Sequence, residues 1–311
     1  MKRRKPLASV GYLVTAVGIA AIALCTTWTQ VLACRVAAWL GRGSRSAARD
    51  VLMSEAAAPS ALGKAFGLER AGDALGAVLG PLLAMVLIAG GEQPRHVMLW
   101  SVVPGLLAFL SIALVVVEKP RDAATRAGRS FLGDVRGTGR PFQRFLISIF
   151  VFGCGDFSRT LLILYATQHV AGTLFALPAG ALAIALYVLH NAVSAAASFP
   201  IGALTARAGR GGVLVSGYLF AAATTLAFAL LPATPGVLTF LFVCSGIYIA
   251  CEEVVEKAYA AELLPAEVKG TGMGVLAATN GVGDFASSAV VGLLGSLFPG
   301  RPAVGFAAAA A

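Results

Sequence analysis

The chain has 311 residues, of which 58% are hydrophobic and 13% charged, and its mean hydropathy is +0.83. A soluble domain carries about 25% charged residues, so this composition excludes an ordinary water-soluble globule and makes lipid the main solvent. The net charge of +9 would suggest nucleic acid in a soluble protein; in a membrane protein its placement sets orientation instead, and no nucleic-acid partner is expected.

A bilayer core of about 30 Å takes about 20 residues of helix to cross. Apolar stretches of that size fall in order at 7–25, 29–47, 66–89, 97–117, 145–167, 176–200, 212–231, 236–259 and 271–298, and a further run starts at Ala303 and reaches Ala311. None alternates with period 2, which favours helices over a transmembrane barrel. The predicted fold class is all-α, a polytopic transmembrane bundle of nine full spans and a partial one. The cysteines at 25, 34, 154, 244 and 251 sit within or beside these runs without CxxC or Cys/His spacing. They read as packing residues, and no metal site or cofactor is expected.

With the first span leaving the cytoplasm, the basic residues from Lys2 to Lys5, from Arg42 to Arg49, Lys64, the run from Lys119 to Arg144, Arg207, Arg210, Lys257 and Lys269 all fall inside. Only Arg95 and Arg301 fall outside, while Arg35, Arg70 and Arg159 lie within spans. The positive-inside rule selects this orientation, with the linker cytoplasmic and the protein multi-pass in the plasma (inner) membrane. The basic opening followed by an apolar run also fits a signal peptide. Eight later spans and a repeat that starts within the segment favour a retained helix.

The chain repeats itself. At an offset of 206, Arg4 meets Arg210, Gly11 meets Gly217 and Tyr12 meets Tyr218; at 207, Glu55 meets Glu262, Gly63 meets Gly270, Gly67 meets Gly274, Asp73 meets Asn280 and Gly76 meets Gly283. Duplicated halves are a common transporter plan. The expected organisation is an N-terminal half bundle at 1–117, a cytoplasmic basic linker at 118–144 and a C-terminal half bundle at 145–311. The second half has two spans ahead of its copy of the block, so roughly 65 residues are expected to be missing from the start of a six-plus-six architecture. The last helix is likewise expected to be cut short.

On these residues the chain resembles the major facilitator superfamily, from the third helix of that fold to the start of the twelfth. The family's loop signature G-x-L-x-D-R-x-G-R-R is echoed at its tail by Arg3, Arg4, Lys5 and Pro6, and in the second half by Gly202, Leu204, Arg207, Gly209 and Arg210. Ala206 stands where the signature has its acid. Gly76, Gly80 and Pro81 resemble the G-x-x-x-G-P signature of antiporters and exporters. Glycines one turn apart let another helix approach, and the proline frees a carbonyl and can bend the helix. Arg35 corresponds loosely to a fourth-helix arginine, with Trp39 at the spacing where the family has glycine. The segment from Gly43 through Arg49 and Asp50 to Glu55 is read as a charged cytoplasmic turn with a gating role.

An ionisable side chain at the centre of a spanning helix costs about 2.5–3.5 kcal/mol, so it needs a partner or a watery cavity. Asp156 and Arg159 are spaced to share a helix face and neutralise each other. Arg70 and Asp73 can pair, with Glu69 nearer the headgroups. Asp284 lies mid-span with Asn280 one turn earlier and no basic residue in its own helix. Glu253 and Lys257 have favourable i,i+4 order, which leaves Glu252 over. His190 and Asn191 lie inside another span; a single His is more often a hydrogen-bonded core residue.

The resemblance implies alternating-access transport of a small molecule. The predicted substrate and proton pathway is Asp73, Asp156, Arg159, Asp284, Asn280, Glu252 and His190; the predicted gating and signature set is Arg4, Arg35, Arg49, Asp50, Arg70, Gly76, Gly80, Pro81, Arg207, Gly209 and Arg210. Secondary active, proton-coupled efflux by a monomer is the leading expectation, with export favoured by the Gly-Pro signature; no GxxxxGK[ST] phosphate loop is present, so ATP-driven transport is not supported. The alternatives are an uptake symporter or uniporter and an inactive fragment. No Ser/His/Asp or metal constellation suggests an enzyme.

Overall fold

A computed structural model describes residues 4–118, 130–170, 177–298 and 303–310. The basic residues Lys2, Arg3, Lys119, Arg121, Arg126, Arg129 and Arg301 and the middle of the predicted linker lie outside this set.

The described residues form helices joined by short turns. In order these are α1 (Lys5–Ala21), α2 (Trp28–Ala56), α3 (Leu62–Ala89), α4 (Pro94–Trp100), α5 (Val102–Val115), α6 (Phe131–Arg136), α7 (Arg140–Gly153), α8 (Arg159–Val170), α9 (Ala179–Ala208), α10 (Arg210–Leu230), α11 (Pro235–Leu263), α12 (Lys269–Leu297) and α13 (Ala303–Ala310). Prolines start α4 and α11, where the missing N–H is an orphan in any case, and the Thr234 hydroxyl accepts from the Val237 N–H to cap α11. Gly209, with φ of +77°, makes the whole connection between α9 and α10; a side chain there would be strained.

Six helical stretches are long and apolar enough to cross a membrane, namely Lys5–Leu24, Pro59–Ala89, Pro94–Val115, Ala179–Ala208, Arg210–Leu230 and Pro235–Leu263. The sequence reading of nine differs at three places. α2 carries Arg35, Arg42, Arg45, Arg49, Asp50 and Glu55, and α12 carries Asn280, Asp284, Ser287 and Ser288. The predicted span 145–167 is broken into α7 and α8, because the backbone turns through Gly153, Cys154 and Gly155. The expected charged turn at 43–55 is also corrected: α2 continues without interruption to Ala56, its alanines and arginines being good helix formers.

The repeat found in the residues recurs in the helix boundaries. α2 and α11 both have 29 residues and start 207 positions apart; α3 and α12, of 28 and 29 residues, also start 207 apart. The chain divides into two compact units. One comprises 1–56, 82–137 and 265–274; the other comprises 57–81, 138–264 and 275–311.

In the first unit α1 packs on α2 and on α5 through small residues. A Cβ on Gly11 would collide with the Gly41 carbonyl and Arg45, one on Gly18 would press on Ala38, and one on Gly105 would meet Ala16. In the second unit α11 is the central element, packed by α9 and α10 and buried around most of its circumference. Phe157, Leu182, Phe228, Leu238, Phe242 and Phe306 fill the core beside it, with Phe157 and Phe306 stacked at 5.3 Å. Many large apolar side chains elsewhere, such as Leu79, Leu83, Leu107 and Phe285, are more than half exposed. That is the pattern of a protein whose outer surface meets hydrocarbon.

Candidate functional site

The break after α7 builds the site. The Asp156 N–H donates to the carbonyls of Phe152 (3.1 Å) and Gly153 (3.2 Å), which ends the helix while keeping its backbone satisfied. The turn is tight because Gly153 lies against the backbone of Gly283 in α12, where a Cβ would come within 3.2 Å of the Gly283 Cα. The Ser158 N–H then donates to Ser288 Oγ of α12 at 2.9 Å, and α8 begins at Arg159.

Asp156 is buried, and Arg159 Nη2 donates to its Oδ2 at 3.2 Å. The predicted pair therefore forms, although the two residues flank a helix start and do not share a helix face. The same nitrogen lies 3.7 Å from Oε2 of Glu252 on α11, so one guanidinium stands between two carboxyl groups. Beside Asp156 is a cavity of about 310 Å³ walled by Phe152, Tyr248, Ala221, Ala222 and Thr225.

α11 presents four charged side chains within two turns, and each has different company. Glu253 lies 3.4 Å from Arg70 of α3 and 3.4 Å from Lys257, the i,i+4 partner foreseen from spacing. Lys257 also reaches Glu69 of α3 at 3.5 Å. Glu256 accepts from the Tyr218 hydroxyl of α10 on Oε1 and from Asn280 Nδ2 of α12 on Oε2 at 2.8 Å. Glu252 is 9% exposed, and its Oε2 has no hydrogen-bond partner among the described residues.

Several expectations change here. Arg70 reaches across to Glu253 of α11, and Asp73 lies at an exposed position of α3. Glu69, expected nearer the headgroups, has a side chain only 7% exposed and pairs with Lys257 of α11. Asp284 is half-buried and forms no ion pair with a described residue. Asn280 is engaged with Glu256. His190 is a core residue, its Nδ1 2.7 Å from Ser245 Oγ. Ser245 donates its single proton to the Phe242 carbonyl at 2.9 Å, so the hydrogen in the bond to His190 comes from the imidazole.

The signature residues are placed as follows. Arg4 pairs with Glu55, and the backbone N–H groups of Arg4 (2.7 Å) and Lys5 (3.1 Å) donate to the Glu118 carboxylate, which caps α1 from the far end of α5. Arg210 pairs with Glu262 and donates to the Pro59 carbonyl, while Arg207 and Arg35 are exposed. Asp50 is buried beside Arg49, at 3.7 Å. The predicted close-packing role of Gly76 and Gly80 is corrected: a Cβ on either meets no described atom within 4 Å. Close approach occurs two to four turns earlier in α3, at Gly63 against Gly202 and Thr205, and at Gly67 against the Ser198 carbonyl of α9. Pro81 lies inside α3, which runs through it.

Glu69, Tyr218, Ser245, Glu256 and Glu118 were not singled out as site residues. The cluster Glu252-Glu253-x-x-Glu256-Lys257 within an apolar helix was a visible signal. Its partners come from α3, α8, α10 and α12, and no local spacing points to them.

The fold and this buried charged centre define a polytopic helical membrane protein with a polar interior. The model of the Major Facilitator Superfamily matches residues 1–288, and the chain belongs to that family. An uncharacterized MFS-type transporter of Methanocaldococcus jannaschii is 28% identical over 300 residues, covering 96% of this chain and 74% of the relative. Among solved structures, the transporter FucP in its outward conformation superposes with a TM-score of 0.76 at 17% identity, over 100% of this chain and 81% of that one. The human organic anion transporter MFSD10 gives 0.72 at 16% over 99% and 74%, and the proton:xylose symporter XylE 0.74 at 15% over 99% and 76%. The protein is thus a membrane-embedded major facilitator transporter of a small molecule.

Proposed function

We propose that the protein is a secondary active transporter that couples movement of its substrate to protons by alternating access, exporting from the cytoplasm as a monomer in the plasma membrane. The reading rests above all on Arg159, held between Asp156 and Glu252 in a buried break of the second unit. Two buried carboxyl groups facing one cation are not neutral together unless one holds a proton, and an uncompensated buried charge is costly. Export is supported by the resemblance of Gly76, Gly80 and Pro81 to the exporter signature, and the inside location of the basic linker 118–144 by its charge.

Asp156, Arg159 and Glu252 are the proposed centre; Asp284 and Asn280 flank it from α12. Arg4 with Glu55 and Arg210 with Glu262 are proposed as hinge contacts of two equivalent halves, 1–117 and 145–311. The likeness to proton symporters concerns the fold, so uptake is the alternative. Everted vesicles carrying the chain, given an imposed pH gradient and a panel of labelled sugars, organic anions and organic cations, decide between them. Gradient-driven accumulation inside everted vesicles is expected; accumulation only in right-side-out vesicles would make the protein an uptake symporter.

A further inference from the structure

We propose that Cys25 and Cys34 are a disulfide-forming pair, a modification site that staples the turn between α1 and α2 when the outer face of the protein meets an oxidant. The proposal is independent of what is transported and of what drives transport.

The chain brings the two sulfurs together. α1 gives way after Ala21 to one tighter turn, Ile22–Leu24, and Cys25 follows in an extended conformation. The connection to α2 is tied down by Gln30, whose side-chain oxygen accepts from the Thr26 N–H (2.9 Å), the Thr26 hydroxyl (3.2 Å) and the Thr27 N–H (3.3 Å). Close by, the two helices approach to backbone distance, since a Cβ on Gly18 would lie 3.2 Å from the Cys34 carbonyl oxygen. Cys25 Sγ is thereby held 3.7 Å from Cys34 Sγ, and both thiols are free and only partly buried. A disulfide needs the sulfurs to close to about 2 Å, a movement that side-chain rotation supplies.

The position suits an oxidant arriving from water. Trp28 is 75% exposed, and Thr26, Thr27 and Thr29 are exposed beside it, which marks the turn as lying at a membrane boundary. On the orientation proposed above, this end faces away from the cytoplasm, the side on which disulfides form and persist. The first unit also has more use for a covalent tie. α4 and α5 contribute no buried residue to it, and α1 meets α2 through small side chains. In the second unit the repeat puts Leu231 and Leu241 at the equivalent positions, and Leu241 belongs to the core of Phe228 and Phe242. Apolar burial does there what the cysteine pair does in the first unit.

The oxidant is a soluble disulfide, of a small thiol or of a thiol–disulfide exchange protein. The thiolate of one cysteine attacks a sulfur of that disulfide and expels a thiolate, which takes up the proton the cysteine lost. The second cysteine attacks the mixed disulfide and expels the other thiol in the same way. One disulfide is reduced to two thiols as two thiols become one disulfide, so atoms and electrons balance. The new bond restricts the unfolded chain, and the oxidised protein is the more stable form.

Oxidised glutathione, which does not cross the bilayer, is the probe. It is applied to right-side-out and to everted vesicles carrying the chain, and remaining thiols are then alkylated before tryptic digestion. Trypsin leaves both cysteines in one peptide, because Lys5 precedes a proline and the next basic residue is Arg35. In right-side-out vesicles that peptide should escape alkylation and be lighter by two hydrogen atoms than its reduced form. The purified oxidised protein should show an upward shift in melting temperature that dithiothreitol reverses and that Cys25→Ser and Cys34→Ser each abolish. The mass is read on the wild-type chain, so a variant that folds poorly does not obscure it. If the folded wild type keeps two alkylatable thiols in this peptide, or forms the bond with no rise in melting temperature, the staple is overturned. Reaction confined to everted vesicles would overturn the outer placement.

Discussion

Arg210 forms an ion pair with Glu262, and the same relationship joins Arg4 to Glu55 at the equivalent positions of the first repeat. The two arginines are 206 residues apart and the two glutamates 207. Each pair ties the start of one helix, α1 or α10, to the last turn of its neighbour, α2 or α11. Glu55 and Glu262 are each a third or more exposed, so each pair is worth at most about 1 kcal/mol. A double-mutant cycle on Arg210→Ala and Glu262→Ala, read by thermal unfolding in detergent, should return a coupling energy below about 1 kcal/mol.

The glycines of α3 should separate into two groups. Gly63→Ala places a Cβ against Gly202 and Thr205 of α9, and Gly202→Ala does the same in reverse, so both should lower the melting temperature sharply and reduce transport. Gly76→Ala and Gly80→Ala meet open space and should be neutral or stabilising by up to about 1 kcal/mol through helix propensity. Equal damage at all four positions would contradict the packing described.

Lys257 serves Glu253 and Glu69 at once, and its side chain is 17% exposed. Lys257→Met takes that charge from two carboxylates and should destabilise by about 3 kcal/mol, on the scale for removing one partner of a buried pair. Arg70→Met leaves Glu253 with Lys257 and should cost less. Unfolding monitored by tryptophan fluorescence gives the order, and a larger loss for Arg70→Met would refute it.

Ser245→Ala removes the acceptor of the His190 imidazole in a buried interface between α9 and α11. The expected loss is about 1–3 kcal/mol for an orphaned buried donor. His190→Ala should add little on top, because both changes delete one bond, and transport should fall only in proportion to folded protein. A selective collapse of transport in folded His190→Ala would restore His190 to the pathway.

The helical class, the repeat and the equivalence of Arg4 with Arg210 and Glu55 with Glu262 were legible in the residues, because hydropathy over 20 positions and a fixed offset are local or one-dimensional signals. So were the pairs Asp156–Arg159 and Glu253–Lys257, which lie within one helical turn in sequence. The break after Gly153 was not: glycine is frequent in membrane helices, and only the Gly153–Gly283 approach shows that the chain must turn there. The course of α2 was misread as a turn because charge was taken for solvent exposure, whereas Asp50 is buried. The pairs Arg70–Glu253, Glu69–Lys257 and Tyr218–Glu256 join residues 38 to 188 positions apart and have no signature in sequence.

The charged centre at Arg159 is tested most directly by reconstituting wild type and Arg159→Gln into proteoliposomes. The measurement is pH-gradient-driven flux of whichever labelled compound of the panel wild type accumulates. Loss of gradient-driven flux in a folded Arg159→Gln protein is the predicted result. Undiminished gradient-driven flux in that variant would show that Arg159 and its two carboxyl partners are structural only.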